Sequence, residues 1–218
     1  MKRFLLLLAL GLASPLAMAS DDISKVNGSI RTESGTAYRD LDTVNGSIHL
    51  AKGVQARGVE TVNGSINADD DVQARSLETV NGAVRAGRGL VLSGDVETVN
   101  GSIFIDQGGR IGGGVETVNG GIGLVGTEVG RNVETVNGDI TVGVGSHVKG
   151  GIRVTKPSFS LSLTPPRKPR IIIGPNAKVD GPLNFEREVT LYVHDSASIG
   201  PVSGATVRRF DTEAAPKD

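Results

Sequence analysis

Glu60-Thr61-Val62-Asn63-Gly64-Ser65-Ile66 is the unit from which this chain is built. It returns as Asp42 to Ile48, Glu78 to Val84, Glu97 to Ile103, Glu116 to Ile122 and Glu134 to Ile140, and in a worn form as Lys25 to Ile30. Its asparagines, Asn27, Asn45, Asn63, Asn81, Asn100, Asn119 and Asn137, stand 18, 18, 18, 19, 19 and 18 residues apart. A fixed period near 20 residues marks a solenoid, in which each repeat packs mainly on its neighbours. A strand, a crossover helix and a second strand need roughly 30 residues, so no repeat can hold them. Short β-prone runs split by glycine fit instead as parallel strands stacked about 4.8 Å apart. The fold expected is all-β: a single-stranded parallel β-helix of about ten turns of 18–20 residues, roughly 45–50 Å long.

Within the unit, Val62 and Ile66 share a parity and are expected in the core, with Gly64 at a corner where a Cβ would crowd the interior. Asn63 suits a corner that needs left-handed backbone. Val72, Ala74 and Leu77 complete the core of that turn. Val59 and Val62 differ in parity, so either the strand bends near Thr61 or one valine column lies on the surface.

Residues 1–19 read as a signal peptide. Lys2 and Arg3 precede the apolar run Phe4 to Leu10, and Ala17-Met18-Ala19 is a small-x-small cleavage site. The run is too short to span a bilayer, so the mature chain is expected outside the cytoplasm: periplasmic, on the cell surface or secreted. Residues 20–210 form the β-helix, regular to about 155, with a Pro-rich excursion over 156–170 and further turns over 171–210. Residues 211–218 read as a disordered tail. Cysteine is absent, so stacking alone must stabilise the fold.

Of 23 basic residues, Lys2 and Arg3 leave with the leader, so 21 face 24 acidic ones, a net charge of −3. That balance argues against nucleic acid as a partner. The aromatics outside the leader, Tyr38, Phe104, Phe159, Phe185, Tyr192 and Phe210, are too few for a platform that stacks bases or sugars.

Three columns follow from the period. Asp42, Glu60, Glu78, Glu97, Glu116 and Glu134 form an acidic one, either a solvated face or a strip for Ca²⁺ or a cationic partner. Arg57, Arg75 and Arg131, three residues before a column member, are the expected counter-charges. Thr43, Thr61, Thr79, Thr98, Thr117 and Thr135 form a hydroxyl ladder on one face. Ice-binding solenoids carry paired threonine columns, and here there is one. The asparagines form a structural amide ladder, and seven Asn-Gly pairs in an exported protein point to a backbone rigid enough to resist deamidation. Arg167-Lys168-Pro169-Arg170, with Arg153 and Lys156 upstream, is either a solvated loop or a dock for anionic envelope polymers.

The Val62-Asn63-Gly64-Ser65-Ile66 unit and its copies resemble the bacterial β-strand-repeat adhesin family across nearly the whole mature chain. The C-terminal units, such as Ala177-Lys178-Val179-Asp180-Gly181, resemble bactofilins, cytoskeletal polymers built as right-handed β-helices. The resemblance implies right-handed winding, and an adhesive or polymer-forming role. Bactofilins lack a cleaved signal peptide, and neither family brings catalytic residues.

His49, His147 and His194 are scattered, no nucleophile elbow is present, and no turn breaks the pattern to make a pocket. The expectation is a non-enzymatic, cofactor-free structural or adhesive surface protein whose partner is an envelope or surface polymer or protein. A self-assembling scaffold and a glycan-active β-helix enzyme are the rivals. The chain is expected to be mainly monomeric, with end-to-end association through the N-terminal turn, because Pro201 and Arg208-Arg209 blunt the other end.

Overall fold

The computed structural model describes residues 22–156 and 167–214. The expected leader, most of the excursion and the last four residues of the tail lie outside the described residues.

Each turn has three sides. In one repeat, Gly58–Asn63 lies on the first face, Asn63 to Ser65 turns the corner, and Ile66–Ala68 lies on the second. Asp69 to Asp71 then reverses the chain, with Asp71 at φ 61°, and Gln73–Ala74 lies on the third face. Stacking joins these strands into three parallel sheets. The first runs through ten strands from Ile23–Asn27 to Val202–Ser203, and the second through ten from Ile30–Arg31 to Val207–Phe210. The third runs through seven from Gln73–Ala74 to Ser198–Ile199, and single bridges at Gln55 and Ala37 carry it back to the first turn. Ten rungs make nine complete windings of a parallel β-solenoid, with no helix among the described residues.

Strict alternation governs the first face. Val59 and Thr61 point inward and are buried, whereas Glu60 and Val62 point outward. Val62 is 40% exposed, so its expected core position is corrected. The parity linking it to Ile66 was counted across the corner, where three residues change the chain's direction and reset the count. There is no bend near Thr61. The buried set of this turn is Val59, Thr61, Ile66, Ala68 and Val72, followed by Leu77. Each fully buried aliphatic side chain contributes about 1.5–3 kcal/mol.

The threonines are therefore core residues with a polar task. The Thr61 hydroxyl donates to Gly46 O at 2.8 Å, one turn earlier, and Thr43, Thr79, Thr98 and Thr117 do the same to Gly28, Gly64, Gly82 and Gly101. Each supplies a donor to a corner carbonyl, four of the five on half-buried glycines. With the hydroxyls turned inward, the surface on which an ice-binding role would rest is not formed. Gly64 is required because a Cβ there would lie 1.9 Å from Gly46 O, so the crowding is against the preceding turn's backbone rather than the interior. Asn63 is not left-handed; among the described non-glycine residues only Asp71 and Asn176 have positive φ.

Residues 155–169 fall between Ile152–Val154 on the first face and Arg170–Ile173 on the second, so the excursion replaces an Asn-Gly corner. The two ends carry different contacts. At the N-terminal end Lys25 takes the place of Thr43 in register, and its Nζ donates to Ser29 O at 2.8 Å. Tyr38 Oη accepts the Glu33 N–H at 3.0 Å, and these polar contacts fold the end back on itself. The C-terminal turn leaves Ile199, Val202, Ala205 and Val207 only partly buried, as Ile23 and Tyr38 are at the other end.

Candidate functional site

Outward alternation and exact register build two parallel rows on the first face. Ser24, Asp42, Glu60, Glu78, Glu97, Glu116 and Glu134 are successive partners in the ladder. Two residues along each strand run Val26, Val44, Val62, Val80, Val99 and Val118. Val26 is 68% exposed. Between the rows lies an open trough of about 600 Å³, lined from Ser24 and Val26 at one end to Glu116 and Val118 at the other. Five carboxylates therefore face it, Asp42 to Glu116, one about every 4.8 Å.

Like charges stacked on adjacent strands repel, and here little offsets them. Burial first, then Glu78 and Asp42, pushes the Glu60 carboxyl up. Burial, Glu78 and Glu116 do the same to Glu97, and burial and Glu134 to Glu116. The expected arginine counter-charges are not in place. Arg57 is committed to Asp40: its Nε donates to Asp40 Oδ1 at 3.0 Å and its Nη2 pairs with Oδ2, which holds Asp40 below the usual carboxylate range. Among the described residues Arg75 and Arg131 make no ion pair with the column. Glu134 does pair, with Arg153 at 3.5 Å, and Arg153 stands next in the same register. The column thus ends in a cation, just beyond the trough.

The asparagines form one continuous amide chain. Nδ2 of Asn45, Asn63, Asn81, Asn100, Asn119 and Asn137 each donates to Oδ1 of the asparagine one turn earlier, at 2.8–3.0 Å. Its last oxygen, Asn137 Oδ1, accepts Arg187 Nη1 at 2.6 Å. Thr135, Val154 and Phe185 are register partners, so Arg187 occupies the asparagine position two turns on and reaches back across the turn that has lost its corner. Sequence reasoning missed Arg187. The available signal was its place two residues after Phe185, in register with Asn137, but only the pairing of the turns around the excursion shows it.

Two cations of the basic excursion pair with carboxylates of the solenoid. Arg167 Nη2 lies 2.7 Å from Asp139 Oδ2, and Lys168 Nζ lies 2.6 Å from Glu188 Oε2. Its cations anchor the insertion to the solenoid, which weakens the case for an anion dock. The histidines stay apart, His49 near Asp69, His147 on Asp180 and His194 edge-on to Phe210. The acidic column is a line and not a cluster: no group of three His, Cys, Asp or Glu among the described residues is placed to hold a metal ion. Nor is any described helix long and apolar enough to cross a membrane.

Comparison of the chain with protein-family models, curated proteins and solved structures found no match in any of the three. The likeness to adhesins and bactofilins therefore rests on the repeat alone, and the trough is the feature from which function must be argued.

Proposed function

We propose that the protein is an exported, non-catalytic solenoid that serves as an adhesive surface, and that its first face holds a linear polycation of the envelope or surface. One observation carries this: a row of carboxylates and a row of exposed valines run side by side along the same trough. The occupant has to offer repeated positive charge to one wall and apolar surface to the other. An aliphatic chain bearing ammonium groups does both. Four bonds of about 1.5 Å separate nitrogens across a three-carbon spacer and advance about 5 Å when extended, close to the strand step of about 4.8 Å. Lysines on one side of an extended peptide recur only every 6.8 Å or so, which slips out of register with the carboxylates. The raised carboxyls are spread along the row and arise from the row itself, unlike the single pocketed acid that catalysis would use.

Titration calorimetry of the full chain with spermidine-type polyamines tests the proposal. Binding should weaken steeply with salt and fall at least about ten-fold when Glu60, Glu78 and Glu97 are changed together to Gln, with fold retained. Equal affinity of the triple variant and the parent would overturn it.

A further inference from the structure

The amide chain has two unlike ends. At its C-terminal end the free oxygen of Asn137 is closed by the Arg187 guanidinium. At its N-terminal end Asn27 Oδ1 accepts from Asn45 Nδ2 at 3.0 Å, while no described residue accepts from Asn27 Nδ2. The other six asparagines both accept and donate, so their side chains are tied on two sides. The glycines that follow them differ in the same way. Gly46, Gly64, Gly82 and Gly101 each sit on the carbonyl of the corner glycine one turn earlier, 1.8–2.3 Å from where a Cβ would be. Gly28 meets nothing closer than Lys25 Cδ at 4.0 Å, has φ +113°, and is the one exposed glycine among the seven corners.

We propose that Asn27 is a modification site, at which the chain deamidates selectively while the six inner Asn-Gly pairs are protected. The Gly28 nitrogen attacks Asn27 Cγ. The amide nitrogen leaves as ammonia, taking up the proton that the Gly28 nitrogen gives to solvent, and the ring so formed is a succinimide. Water then opens either carbonyl, leaving aspartate or isoaspartate. No oxidant or reductant is needed.

Reaching the attack geometry requires the asparagine side chain to swing toward the next nitrogen and that nitrogen to leave its own bond. Gly28 N–H donates to Asn45 O at 2.8 Å, but the strand Ile23–Asn27 is paired on one side only and opens most readily. For an inner asparagine the same swing breaks two ladder bonds, and the glycine whose nitrogen must attack is stacked closely on the turn before it. The products diverge as well. A carboxylate at position 27 still accepts from Asn45, now as an anion facing the positive end of an aligned amide chain, by the logic that favours anions at helix N-termini. A carboxylate at position 63 has lost its donor and faces the Asn45 oxygen with another oxygen.

Incubating the full chain at mildly alkaline pH and mapping its peptides by mass spectrometry, with isoaspartate-specific methylation to identify the product, provides the test. Asn27 should convert at least about ten-fold faster than any other Asn-Gly site, and urea should erase the difference. An inner asparagine reacting as fast as Asn27 in the folded chain overturns the proposal, as does a preference that persists in urea. Independently, Asn27→Asp should leave the midpoint of urea unfolding unchanged or raised, whereas Asn63→Asp lowers it. Equal losses in the two variants would contradict the end-specific account.

Discussion

Arg187 Nη1 lies 2.6 Å from Asn137 Oδ1 and 3.0 Å from Val136 O, while its Nη2 reaches Arg167 O at 2.9 Å. One guanidinium thus closes the amide chain of the regular repeats and pins the foot of the insertion that interrupts them. Three acceptors shared between two nitrogens suit the rigid fork of arginine and not the single ammonium of lysine.

Replacing Arg187 by Met should therefore destabilise the protein by about 1–2 kcal/mol, the low part of the range for charged hydrogen bonds because only the one to Val136 O is partly buried. Arg187→Lys should recover less than half of the loss. Urea unfolding measures both. A Met variant as stable as the parent would show that the ladder needs no cap.

The inward threonines make a second ranking testable. Thr61→Val keeps shape but leaves Gly46 O without its donor, at about 1–3 kcal/mol. Val62→Ser, on the half-exposed row, should cost under about 1 kcal/mol. Parity counted through the corner gives the opposite order, so thermal unfolding of the two variants decides between them. Ile66→Asp, which buries an unpaired charge, should exceed both by several kcal/mol.

The carboxylate row sets a pH dependence of unusual sign. Glu60, Glu97 and Glu116 have carboxyls pushed up by burial and by their neighbours. A carboxyl whose folded pKa exceeds its unfolded one holds more protons when folded, so stability falls as pH rises between the two values. The row thus opposes folding at neutral pH and is relieved as pH falls through the raised values. Asp40, Glu128, Asp180 and Glu188 act in the other sense, being held down chiefly by Arg57, Lys149, Lys178 and Lys168, and their contribution is lost below the ordinary carboxylate range. The expected profile has its maximum in weak acid. Changing Glu60, Glu97 and Glu116 to Gln should flatten the descent toward neutrality. Stability climbing steadily to neutral pH in the parent would mean that the row does not repel itself.

A last expectation concerns the N-terminal end. Lys25 stands in a threonine position and caps Ser29 O from outside the stack. Lys25→Thr should restore an uncapped repeat edge and promote concentration-dependent association in sedimentation analysis, where the parent stays monomeric. If the variant is as monodisperse as the parent, Lys25 is not what guards that edge.

Architecture was legible in the sequence because period, glycine and asparagine all recur at a spacing that only stacking explains. The parallel sheets, the alignment of Glu60 with Glu78 and of Asn63 with Asn81, and the burial of Val72 and Leu77 follow from it. What side each residue takes was less legible. Val62 and Thr61 exchange places relative to expectation because a corner of three residues, Asn63 to Ser65, breaks the two-residue period. Propensity alone does not favour a buried threonine over a buried valine; the carbonyl of Gly46, one turn away, does. The trough came into view only once both rows were placed, and the pairing of Arg57 with Asp40 depended on a contact between turns that no local pattern marks.

Glycine at the corners from Gly28 to Gly138 also sets how the regular part of this protein can lengthen. A Cβ on Gly64, Gly82 or Gly101 would lie 1.8–1.9 Å from the carbonyl one turn earlier, so glycine must stand on glycine from Gly28 to Gly138. Genetic events that add or remove an entire unit preserve that stacking. Excising residues 59–76 brings Asn45 beneath Asn81 with every cross-turn pair remade, and units of 18 and of 19 residues both keep glycine on glycine, the extra residue being taken up away from the corner. The trough is then a ruler graduated by gene duplication, gaining or losing one carboxylate and one valine with every copy.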